Sequence, residues 1–83
     1  MEGKYMVKGE FKDRLKIAMD ARGKSASVLA NETGLDRSTI YLYLNPYKYK
    51  RGTCLGANNL EALADALDVT MDWLWGRSDD GGV

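Results

Sequence analysis

The stretch from Val28 to Asn45, VLANETGLDRSTIYLYLN, decides the fold. Val28, Leu29 and Ala30 open a short helix, and Gly34 stops it, because only glycine takes a positive φ at little cost. Leu35 follows as an apolar plug, and Asp36 is placed to cap a further helix over residues 37–44. In that helix Ile40, Tyr43 and Leu44 share one face, while Arg37, Ser38, Tyr41, Leu42 and Asn45 fall on or near the other. Pro46 ends it, since its ring disfavours the α conformation at Asn45. Two short helices that meet at an angle need a small residue at their closest crossing, a turn free of Cβ clash and an apolar wedge. Ala30, Gly34, Leu35 and Ile40 supply these in that order, with Tyr43 or Leu44 closing the wedge. Two short helices around a glycine-containing turn form a helix-turn-helix.

Outward from this stretch the remaining segments also read as helices. Phe11, Leu15, Ala18 and Met19 fall on one helical stripe, which predicts a first helix over residues 10–22, ended by Gly23. Lys12, Asp13, Lys16 and Asp20 lie off that stripe. Ser25 is the expected N-cap of the second helix. Residues 45–57, with Pro, two Gly, two Tyr and three basic residues, read as a loop. Asn58 with Glu61 three residues on suggests a capping box, and Leu60, Leu63, Ala64 and Leu67 place a fourth helix over residues 59–68. Thr70 caps a short last helix, Met71–Trp75, ended by Gly76. The expected organisation is a flexible arm at residues 1–9, one compact all-α domain of five helices at 10–77, and a disordered tail at 78–83. No stretch reads as a strand.

Composition narrows the function classes. The chain has 83 residues, enough for one small domain with an economical core. It contains no histidine and one cysteine, Cys54, so a thiolate or imidazole metal site and imidazole acid-base chemistry have no ligands or bases to use. No nucleophile-base pair stands out, so Cys54, Ser38 and Thr39 read as structural residues and an enzyme is the least favoured class. No cofactor is expected. No apolar run is long enough to span a membrane, and no signal peptide is visible. Net charge is zero, yet residues 1–52 hold eleven Lys and Arg against six acids, whereas residues 53–83 hold one Arg against six acids. Such polarity gives one side of a molecule a suitable charge for phosphate.

Residues 10–77 resemble the phage-repressor and Cro-type (XRE-like) helix-turn-helix family. FKDRLKIAMDARGKS is similar to its first helix and cap, VLANETGLDRSTIYLYLN to its helix-turn-helix, and NNLEALADALDVTMDWLWGRS to its closing helices. The resemblance implies a cytoplasmic DNA-binding regulator, a phage or prophage repressor, that acts as a homodimer on a palindromic operator of double-stranded DNA. It also implies that the third helix enters the major groove, where side chains read base edges. Arg37, Ser38, Tyr41 and Leu42 are then the expected base-facing residues, with Leu42 limited to packing on a thymine methyl. Lys24, Ser25, Ser27, Thr39 and Asn45 are the expected phosphate contacts from the helix starts and flanks. The loop NPYKYKRG interleaves Tyr47 and Tyr49 with Lys48, Lys50 and Arg51. Its position after the reading helix makes Tyr47, Lys48, Lys50 and Arg51 expected phosphate contacts. Trp73 and Leu74 read as core or interface residues, and the Trp73–Trp75 region is the favoured dimer surface.

Two alternatives share this fold. A protein-interaction module that has lost DNA binding would fit the zero net charge, the outward Tyr41 and Leu42, and Ala26 where relatives often carry glutamine. An antitoxin would bind both operator DNA and a toxin. Salt dependence separates DNA binding from an apolar interface.

Overall fold

A computed structural model describes residues 4–6, 9–45 and 54–83. The elements are β1 (Lys4–Met6), α1 (Gly9–Arg22), α2 (Ala26–Thr33), α3 (Arg37–Leu44), β2 (Cys54–Gly56), α4 (Ala57–Leu67) and α5 (Met71–Trp75). The five expected helices are all present; α3 and α5 have the expected limits, and α2 starts at Ala26, two residues before the expected Val28, with Ser25 as the expected N-cap. Ser25 Oγ accepts from the Val28 amide at the start of α2, and Thr70 Oγ1 accepts from the Trp73 amide at the start of α5. Asp36 holds the N-cap position of α3, but its side chain makes no capping bond. Gly34 closes α2 at φ 77°, in the left-handed region, and donates its amide to Ala30 O.

The core is built from one face of each helix. Phe11, Leu15, Leu29, Ile40, Leu63, Leu67 and Leu74 are its fully enclosed large side chains. Each such side chain contributes about 1.5–3 kcal/mol of hydrophobic stabilisation relative to exposure. Ala30, Leu35 and Leu44 pack against this core, and Tyr43 is buried within it, so the expected wedge between α2 and α3 is formed.

Four expectations are corrected. First, β1 and β2 form an antiparallel ribbon with Lys4 opposite Gly56, Tyr5 opposite Leu55 and Met6 opposite Cys54. Residues read as part of an arm and part of a loop therefore pair as strands, because each satisfies the other's backbone groups. Second, α4 begins at Ala57 with Gly56 as its N-cap, so Asn58 and Glu61 form no capping box. Asn59 instead donates Nδ2 to the Tyr43 hydroxyl at 2.9 Å, which ties α4 to α3. Third, the end of the chain folds back on the domain. Thr70 donates its amide to Gly81 O at 2.8 Å, and Arg14 donates to Ser78 O at 2.7 Å. A Cβ placed on Gly82 would collide with the Trp73 ring. Fourth, Trp73, Leu74 and Trp75, read as a region open to a partner chain, are all buried within this one chain and pack in its core.

Part of the basic half is used internally. Arg14 donates to Trp73 O and Ser78 O and pairs with Asp79, with its guanidinium 5.1 Å from the Trp73 ring centre. Arg22 donates to Leu67 O and Asp68 O, and Lys24 to Ala66 O, so two cations neutralise the carbonyl end of α4. Part of the charge polarity is thus a seam that joins the two halves of the chain.

Candidate nucleic-acid interface

Burial of Ile40 and Tyr43 fixes how α3 is rotated about its axis. The opposite side then has to face outward, and it carries exposed Arg37, Ser38, Tyr41 and Asn45. Tyr41 keeps 50% of its surface exposed, a high value for so large a side chain. Leu42 and Thr39 are half-buried at the borders of this face. The four residues expected to face bases therefore do share one side of α3, with Leu42 the least exposed.

The first turn of α2 stands beside the first turn of α3. Arg37 Nη1 donates to Ser27 Oγ at 3.1 Å, and both residues are exposed. A shallow groove runs between them, lined also by Ala30, Asn31, Leu35 and Asp36. Arginine has five N–H donors, so one bond to Ser27 leaves the remaining fork for another acceptor. At the far end of α3, Asn45 donates both its amide N–H and its Nδ2 to Tyr41 O, which closes the helix.

Lys24 departs from expectation. Its ammonium is 2.7 Å from Glu32 and bonded to Ala66 O of α4, while its side chain also lines the cleft that holds Ser25, Tyr41 and Asn45. It is a structural tie here, because a lysine beside a helix C-terminus and a carboxylate finds both partners within reach. Ser25 remains at the exposed start of α2, with its hydroxyl engaged by the Val28 amide. Tyr47, Lys48, Lys50 and Arg51 lie outside the described residues.

Two residues that the sequence reading left among solvated charges come to this surface. Lys12 and Lys16 line a cleft between α1 and α3 with Ser25, Tyr41 and Asn45. The signal available in sequence was their four-residue spacing, which places both on one side of α1. Among the described residues no cluster of His, Cys, Asp and Glu could hold a metal ion, and no helix is long and apolar enough to cross a membrane.

The fold and the outward face of α3 define a helix-turn-helix DNA-binding domain. Residues 14–80 match the family model for the Cro/C1-type helix-turn-helix DNA-binding domain, and the chain belongs to that family. It is a DNA-binding regulator by family, and that family is not typically enzymatic. Comparison with curated proteins and with solved structures gives no match.

Proposed function

We propose that this chain is a sequence-specific transcriptional repressor of phage or prophage type, which lays α3 in the major groove of double-stranded operator DNA. The observation that carries the reading is the exposed row Arg37, Ser38 and Tyr41 on a helix held in place by buried Ile40 and Tyr43. Arg37 is suited to bidentate contact with guanine, which is worth about 1–3 kcal/mol of discrimination. Ser38 and Tyr41 reach neighbouring base edges or the sugar, and Leu42 packs on a thymine methyl. Ser25, Ser27, Thr39 and Asn45 border this face and meet phosphates, joined by Tyr47, Lys48, Lys50 and Arg51 through their place after α3 in sequence. The regulator acts in the cytoplasm as a homodimer, whose symmetry would match a palindromic operator.

The test is a titration of labelled random duplex at low salt and at two higher salt concentrations, followed by selection of preferred sites from a random library. Affinity that falls steeply with salt, with one sequence enriched, is the expected result. No binding at low salt would overturn the reading. It would favour a protein partner on half-exposed Tyr41 and the adjacent Leu42, the second reading that this surface supports.

A further inference from the structure

We propose that the cleft between α1 and α3 seats a DNA backbone phosphate held by Lys12 and Lys16. This rests on the DNA-binding reading above and adds a contact strip from a helix outside the helix-turn-helix. The cleft has a volume of about 420 Å³ and brings together Lys12 and Lys16 of α1, Lys24 and Ser25 before α2, and Tyr41 and Asn45 of α3. It therefore runs along one flank of the proposed reading helix. A helix lying in a major groove about 12 Å wide has a sugar-phosphate strand on each side, so a ligand of this class is brought to the cleft by docking itself.

The assignment of charges on the rest of the surface points the same way. Arg14, Arg22 and Lys24 are bonded to carbonyls or carboxylates of the C-terminal half. Lys12 and Lys16 line the flank of α3 one helical turn apart; Lys24 lines the same cleft, but its ammonium is bonded to Glu32 and Ala66 O. Asp13 and Asp20 also line the cleft, and Asp13 is 3.3 Å from the Lys12 ammonium. A phosphate entering the cleft displaces that carboxylate as the counter-ion of Lys12. Lys16 is the more open of the two lysines and bears the larger share of the contact.

The experiment measures affinity against salt for the whole chain, on random duplex and on a selected site. It compares the parent with Lys16→Gln, the double variant Lys12→Gln/Lys16→Gln, Lys16→Arg and Arg77→Gln. Each lysine lost should lower the slope of log affinity against log salt by about one unit and weaken both duplexes equally. Lys16→Arg should keep the parental slope. Arg77→Gln, which removes an exposed charge from the acidic half, should also keep it. A double variant with the parental slope, or Arg77→Gln with an equal loss, would overturn the proposal while the parent still binds DNA. A parent without salt-sensitive binding would overturn the DNA-binding reading itself, and this inference with it. Matching thermal melts show that the variants are folded.

Discussion

Arg37 and Ser27 are joined by a hydrogen bond of 3.1 Å from the guanidinium to the hydroxyl, across the gap between the first turns of α3 and α2. The bond limits where the guanidinium of a long, flexible side chain can point. A fixed fork loses less rotamer freedom when it meets a base edge, so preorganisation of this kind acts on discrimination more than on general affinity. Arg37→Ala is expected to cost about 1–3 kcal/mol of preference for the selected site over random duplex. Ser27→Ala should cost a fraction of that, Ser27→Thr should retain most of the preference, and Ser27→Ala should add nothing once Arg37 is alanine. Competition binding on the two duplexes measures all four. A loss of preference in Ser27→Ala that persists without Arg37 would overturn this positioning role, since the phosphate contact of Ser27 affects both duplexes alike.

Lys24 offers the reverse case, a cation at the edge of the DNA-binding motif with an internal role. Its side chain is 24% exposed and spans from Glu32 of α2 to the last turn of α4. Lys24→Met should lower stability by about 1 kcal/mol, since it leaves the Ala66 carbonyl and the Glu32 carboxylate without this donor. Its salt slope on DNA should match the parent. Urea unfolding and the salt titration together check this, and a lowered slope with unchanged stability would return Lys24 to the phosphate contacts.

How much of this was legible in the sequence depends on whether the governing interaction is local. The caps of α2 and α5 were readable because Ser25, Gly34, Thr70 and Gly76 act on backbone within a few residues of themselves. The ribbon was not, because three-residue strands are too short to show a period and β1 finds its partner about 50 residues away. The start of α4 moved for a related reason: Gly56 ends β2 and caps the helix, which leaves Asn58 inside it. Charge gave a mixed signal. A count of cations could not tell Arg22, which caps α4, from Lys16, which lines the flank of α3.

Arg14 clamps the end of the chain. It donates to Trp73 O at 2.8 Å, Ser78 O at 2.7 Å and Asp79 Oδ1 at 2.9 Å. The two carbonyl bonds are part-buried, whereas the Asp79 side chain is 97% exposed. Charged hydrogen bonds to part-buried acceptors outweigh exposed ion pairs, so the two carbonyls count for more than Asp79. Arg14→Met is expected to destabilise the domain by about 2–3 kcal/mol, and Asp79→Asn to have little effect. Amide exchange supplies a second readout. The Thr70 amide is bonded to Gly81 O and should exchange faster in Arg14→Met, because that carbonyl is held only while the tail is folded back.

Trp75 separates a core role from an interface role most directly. It is 8% exposed in the single chain, and its ring lies 5.9 Å from that of Phe11, which is fully buried. Truncating a buried tryptophan removes its hydrophobic contribution and leaves a cavity, at a cost of about 3–5 kcal/mol. Against a total stability of about 5–15 kcal/mol, that loss is large enough to lower the melting temperature strongly. If Trp75 is a core residue, the drop in Trp75→Ala is the same at every protein concentration. If it also held two chains together, the parent would melt higher as concentration rises and the variant would lose that dependence. Thermal melts of both proteins across a hundredfold concentration range decide the matter. A parental melting point that climbs with concentration only while Trp75 is present would overturn the core reading.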